Sequence, residues 1–295
     1  MSNIPTYTKM HGLGNDFILL PAVPDSMEPA AMAAWVRALC DRHRGIGADG
    51  VIYAAPPSDP AAYDIRFVYW NADGSTAEMC GNGIRCFTRY LHVHHQLLPT
   101  PAARDVLHAG QLLRIETGRG LVRCQLDPQQ DGQVCVEMGP PVLSWSDIPF
   151  CADESTVEVN GLRIPLTPVS MGNPHAVVFQ ADFSAPLDPA VYGPALEVHP
   201  AFPAKVNVSF VTVENRNTLH AVVWERGCGF TQACGTGACA IAVAAQLRGL
   251  ADPAVDVWLP GGALRIAWEG QTTAPVWMTG PASFVFTVAT SFAPL

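Results

Sequence analysis

The chain reads as short period-two segments set around a few helices. Over residues 63–70, Ile65, Phe67 and Tyr69 face one way and Asp64, Arg66 and Val68 the other, which predicts a strand with one buried face. Residues 112–117 and 121–126 flank Gly118-Arg119-Gly120 and predict a hairpin. Residues 156–159 and 162–166 flank Asn160-Gly161, the strongest short hairpin signal in the chain. Further strands are read at 176–179, 206–213 and 220–225. Helical spacing appears over 31–40, where Trp35, Val36 and Leu39 share a face before Arg42, His43, Arg44 and Gly45 open a loop. Residues 238–248 are apolar on nearly every face and close at Gly249, a candidate left-handed cap. A short helix of that kind is buried, here wrapped by strands.

The second half restates the plan of the first. MHGLGNDF (10–17) is echoed by SMGNPH (170–175), and NADGSTAEMCGNG (71–83) by ERGCGFTQACGTG (225–237). Each longer motif follows a strand-like run and leads into a helix-like one. The expectation is an α/β (α+β) protein of two pseudo-symmetric domains, the first over residues 1–128 and the second over 129–283. Their cysteine-led helices would face a shared cleft, and the polar stretch 127–132 would join them.

Composition narrows the function. The 295 residues are 49% hydrophobic and 15% charged, enough for sizeable cores. No apolar run is long enough to span a membrane and the first residues lack a signal core, so a cytoplasmic location is expected. A net charge of −9 without a basic patch argues against nucleic acid. The nine cysteines are odd in number and include no C-x-x-C, so neither a disulfide framework nor a metal site is expected. Cys40, Cys124, Cys135, Cys151 and Cys228 read as small core or surface residues. Lys9 and Lys205 are the only lysines, and neither lies in a phosphate-binding run. Pyridoxal phosphate and dinucleotide chemistry therefore have no cradle here, and no cofactor is expected.

The chemistry concentrates at Cys80, which opens CGNGIRC, and Cys234, which opens CGTGAC. Glycines permit a tight strand-to-helix turn and leave the first N–H groups of the helix open to an anion. A thiol in the field of a helix N-terminus is expected to have a lowered pKa and to serve as a base. Packing alone gives no reason for the repeat. A single nucleophilic cysteine helped by His175 and Asn173 would leave the second cysteine unused.

KMHGLGNDF, NADGSTAEMCGNGIRC, MGNPHAVVF and ERGCGFTQACGTGAC resemble the diaminopimelate epimerase family, in order, from about Lys9 to at least Cys239. The resemblance implies two similar α/β domains, each wrapped around a central helix, with the final strand (about 284–295) returning to the first. It implies interconversion of LL- and meso-diaminopimelate for lysine and peptidoglycan precursors, without cofactor. Carried over by position, Cys80 and Cys234 are the acid/base pair. Asn15, Asn71, Asn173 and Asn207 bind substrate, and Gly81, Asn82, Gly235 and Thr236 donate backbone N–H groups to its carboxylate. Glu225 contacts the amine and Arg226 clamps a carboxylate, while His175 and Glu225 adjust the cysteine pKa values. Asp16, Asp49, Asp73 and Glu78 read instead as turn or helix caps outside the site. Two positions depart from the family pattern. Gly50 replaces a substrate-contacting glutamine of some members, and Phe230 a common glutamate. The partner implied is a small amino acid, with a homodimer open. Two other readings compete: racemisation of another amino acid such as histidine on the same scaffold, and a non-catalytic thiol or metal-binding protein.

Overall fold

The computed structural model describes residues 6–22, 27–127, 130, 132–182 and 187–290. The chain divides into two units, residues 1–136 with 280–295 and residues 137–279. The division lies just beyond the polar stretch 127–132, of which residues 128, 129 and 131 fall outside the described residues.

In the first unit β1 (Thr6–Gly12) and β2 (Asn15–Leu20) form a hairpin. Its two turn residues, Leu13 and Gly14, both have positive φ, 56° and 87°. Helix α1 (Pro29–Cys40) then crosses over to β3 (Gly50–Ala55), which lies parallel to β2. Such a parallel connection needs a crossover element. Strand β4 (Ile65–Asn71) runs back antiparallel to β3, with Ile65, Phe67 and Tyr69 buried as their alternation predicts. A second crossover carries α2 (Gly81–Val93) and α3 (Pro101–His108) to β5 (Leu113–Thr117), parallel to β4. Strands β6 (Gly120–Leu126) and β7 (Gln133–Glu137) follow as antiparallel neighbours.

The second unit opens with the hairpin read from the sequence, β8 (Thr156–Val159) and β9 (Leu162–Pro165), whose turn residues Asn160 and Gly161 sit at φ 52° and 76°. From there the first unit's topology recurs. Strands β10 (Thr167–Ser170) and β11 (Pro174–Phe179) pair antiparallel, and α4 (Pro189–Glu197) crosses to β12 (Asn207–Asn215), parallel to β11. Strand β13 (Thr218–Glu225) returns antiparallel and ends in a turn to the short β14 (Gly229–Phe230). Helix α5 (Gly235–Leu247) crosses to β15 (Ala254–Leu259), parallel to β13, and β16 (Gly262–Ala267) and β17 (Trp277–Pro281) complete the unit antiparallel. The same succession of antiparallel and parallel pairings in both units is the structural counterpart of the sequence echoes. The last strand, β18 (Ser283–Ala289), pairs antiparallel with β1, so the chain's end closes the first unit. Residues 291–295, expected to continue it, lie outside the described residues.

Helices α2 and α5 are the cores of their units. Every residue of α5 from Gly237 to Ala245 is buried, which explains why it is apolar on all sides. It ends in paired bonds from Gly249 N–H to Gln246 and from Leu250 N–H to Ala245, with Gly249 at φ 70° as the sequence suggests. Helix α2 is buried from Asn82 to Tyr90 on all but one position, and Phe87 meets Phe67 of β4 edge-on at 5.3 Å.

Candidate active site

The duplicated topology delivers candidates from matching places. The first unit supplies Asn15 at the start of β2, Gly50 at the start of β3, Asn71 at the end of β4 and Cys80 before α2. The second supplies Asn173 before β11, Asn207 at the start of β12, Glu225 at the end of β13 and Cys234 before α5.

Cys80 is the N-cap of α2, with extended backbone (φ −139°, ψ 116°), and its Sγ accepts the Gly83 N–H at 3.4 Å. A Cβ at Gly83 would lie 3.5 Å from that sulfur and 3.0 Å from Ile52 Cδ1, so glycine keeps the sulfur's seat open. Gly81 and Asn82 contribute the first turn of the helix. Asn15 Oδ1 lies 3.9 Å from Cys80 Sγ and accepts Asn82 Nδ2 at 3.2 Å. The other end of the Asn15 amide donates to Asp49 Oδ2 at 2.7 Å, which fixes which end faces the sulfur. Asp49, expected to serve only as a cap, thus supports a site residue. It also accepts Arg42, which bridges to Asp16, and Lys9 pairs with Asp16 at 2.7 Å. Burial works to raise the Asp16 pKa, but hydrogen bonds from Arg42 and Lys9 prevail and hold it well below the usual carboxylate range. Asn71 stands apart from this group: its side chain donates to Ser75 Oγ at 2.9 Å and ties its own turn.

Cys234 caps α5 in the same way, with extended backbone (φ −117°, ψ 108°). Its Sγ lies 3.6 Å from Thr236 Oγ1, and a Cβ at Gly237 would come within 3.2 Å of it. The expectation of a lowered pKa is overturned here. Burial first, and the Glu225 carboxylate second, push the Cys234 thiol well above its ordinary value, outweighing the Thr236 hydroxyl and the Gly237 N–H. Cys234 is only 5% exposed, and the half charge of a helix end does not repay that desolvation. Glu225 is oriented by Thr231, whose hydroxyl donates to it at 2.5 Å.

His175 is fully buried, its Nε2 3.1 Å from Asn173 Oδ1 and its Nδ1 without a partner among the described residues. Burial, reinforced by the nearby Arg226 charge, lowers its pKa to about 3, so it is neutral at pH 7. It lies directly across the β11–β12 ladder from Asn207. Asn207 donates to Pro174 O at 2.9 Å and accepts the Arg226 N–H at 3.0 Å, while the Arg226 guanidinium reaches Ala204 O at 2.8 Å. The site residues of this unit therefore form one connected group.

The two departures have different structural consequences. Gly50 is the topological counterpart of Asn207, but a Cβ there would lie 2.4 Å from Tyr69 Cε2 and 2.5 Å from Trp70 O. Any side chain would require both the Tyr69 ring and the Trp70 backbone to move. Phe230 packs edge-on against Trp224 at 5.0 Å and is otherwise exposed.

Two units of repeated topology, each with a cysteine capping its core helix, define a fold found in racemases, epimerases and related proteins. A probable proline racemase from Agrobacterium radiobacter superposes with a TM-score of 0.64 at 17% identity, over 98% of this chain and 94% of that one. A hydroxyproline epimerase from Agrobacterium vitis gives 0.64 at 16% identity, over 97% and 91%. A PhzF-family phenazine biosynthesis protein from Bacillus anthracis gives 0.65 at 15% identity, over 96% and 98%. At the level of sequence the family is narrower. The diaminopimelate epimerase model matches residues 7–144 and 167–285, and the chain belongs to that family. The diaminopimelate epimerase of Azotobacter vinelandii is 46% identical over 287 residues, 95% of this chain and 96% of the relative. That of Thioalkalivibrio sulfidiphilus is 44% identical, covering 95% and 97%.

Proposed function

We propose that this protein is a cofactor-independent isomerase that interconverts LL- and meso-diaminopimelate, with Cys80 and Cys234 as acid and base at one α-carbon. The observation that carries the reading is the repetition of one cradle, a cysteine capping a buried helix with glycine three residues on, in two units of the same topology. Inversion needs a proton removed from one face and another delivered to the opposite face, which two thiols supply and one cannot. The open N–H groups of Gly81, Asn82, Gly235 and Thr236 hold the α-carboxylate and the charge that develops on deprotonation. Asn15, Asn71, Asn173 and Asn207 bind the remainder of the substrate, Glu225 its amine and Arg226 its distal carboxylate.

Burial and Glu225 keep Cys234 in the thiol form, the form of a proton donor. A substrate ammonium docking on Glu225 offsets part of that influence, so binding itself makes Cys234 a better acid. Neutral His175 adds no charge to the pair but anchors Asn173 beside it.

In this reading residues 1–128 with the returning strand, and residues 129–283, are the two epimerase domains, working in the cytoplasm on lysine and peptidoglycan precursors. A homodimer is favoured by β18, an edge strand that exposes Phe284, Val285 and Phe286. No helix of the described residues is long and apolar enough to cross a membrane. The deciding experiment is incubation with LL-diaminopimelate in heavy water, following α-deuterium and the appearance of the meso isomer. Exchange with single-headed L-amino acids and none with diaminopimelate would refute the substrate; no exchange at all would refute the enzyme.

A further inference from the structure

Glu197 defies two local preferences at once. It is the last residue of α4, at the negative end of the helix dipole, with no basic residue in that turn. It is also buried, the one buried carboxylate among the described residues. A charge kept in such a place needs donors, and it has them. Oε1 accepts the Gly227 N–H at 3.0 Å and Oε2 the Trp224 indole N–H at 2.8 Å, with Lys205 Nζ 3.9 Å away. Those two donors stand on either side of Glu225 and Arg226.

Glu225 is also tied within this turn, where its carbonyl accepts the Cys228 N–H at 3.1 Å and its carboxylate the Thr231 hydroxyl, but neither bond reaches Arg226. Gly227 takes φ 77°, and the exposed Arg226 places its N–H on Asn207 and its guanidinium on Ala204. Hydrogen bonds to an ionised acceptor are stronger and shorter than neutral ones, so one carboxylate can order both ends of the segment. We infer that Glu197 is a positioning residue, which grips Trp224 and Gly227 and so sets where the side chains of Glu225 and Arg226 meet the substrate. The inference rests on the substrate-binding roles proposed above for that pair.

Glu197→Ala removes both acceptors while leaving the two cysteine cradles untouched. KM for LL-diaminopimelate is expected to rise about tenfold or more, with kcat within about threefold. Glu197→Gln, whose amide oxygen can still accept from Gly227, should recover most of that loss. A second readout does not depend on activity: trypsin should cut the native protein after Arg226 about tenfold faster in Glu197→Ala, relative to cutting after Arg216. An unchanged KM with unchanged cleavage overturns the inference. So does a loss of activity that follows loss of folded protein and is not relieved in Glu197→Gln. If Glu197→Ala does not fold, Glu197→Asp takes its place, because the shorter chain withdraws the carboxylate from both donors. Wild-type protein assayed alongside separates the two claims. Failure of wild type to exchange α-hydrogen refutes the function, while cleavage after Arg226 still decides the role of Glu197.

Discussion

Cys80 and Cys234 hold the same cap position in different surroundings. Cys80 is half-buried and receives the Gly83 N–H, whereas Cys234 is buried beside Glu225. Both are required by the proposed chemistry, so Cys80→Ala and Cys234→Ala should each lose epimerisation by several orders of magnitude with unchanged thermal melts. Wild-type-like turnover by either would end the two-base mechanism. His175 makes a prediction about pH. Its folded pKa of about 3 lies below the ordinary 6.5, so the unfolded chain binds more protons between those values. The stability it contributes is complete above about pH 6.5 and is lost as pH falls toward 3. Urea melts across that window should show His175→Gln with a shallower acid dependence than wild type. At this scale the sequence displayed the caps, the glycines and the asparagines. It did not display burial, which reverses the expected shift at Cys234. Nor did it display partners remote along the chain, such as Asp49 for Asn15 and Glu197 for Gly227.

Elements whose signals are local were legible. The Asn160-Gly161 hairpin, the β5–β6 hairpin, the alternation of β4 and the all-round apolar α5 each carry their period and their turn chemistry in one stretch. The elements left unread share a different cause. Helices α3 and α4 are short, and what defines them is a cap followed by proline: Thr100 before Pro101 and Asp188 before Pro189, each accepting an N–H two or three residues on. Helix α4 even contains Pro194, which argues against a helix when read alone. The β1–β2 turn places Leu13 at φ 56°, a conformation leucine rarely takes, so no turn signal marks it. The cap of α5 offers a clean test. A Cβ at Gly249 would meet nothing within 4 Å, yet φ is 70°. Gly249→Ala should therefore cost roughly 1 kcal/mol from backbone strain alone, read in urea melts, with epimerase activity unaltered.

For the whole molecule, the echoes along the sequence foretold the duplicated topology, but they were too brief to give the order of pairing. That order rests on non-local ladders such as β2 with β3 and β13 with β15. Composition likewise could not mark β18 as an apolar edge. If two chains meet there, light scattering should give twice the monomer mass, and Phe286→Asp should return it to one. A monomeric wild type would remove the homodimer from the proposal.

The pairing of β1 with β18 also governs the sequence of events during synthesis. Thr8 and Thr287 touch through their hydroxyls at 3.2 Å although 279 positions separate them. Strand β1 must therefore wait for β18 before its sheet is finished, whereas residues 137–279 form a separate compact unit. The unit translated second should mature first. A fragment of residues 137–279 should melt cooperatively by itself. A chain halted before residue 280 should keep that transition and expose its leading portion to protease, as a nascent chain would to a chaperone. Loss of both transitions in the halted chain would show instead that the two units fold as one.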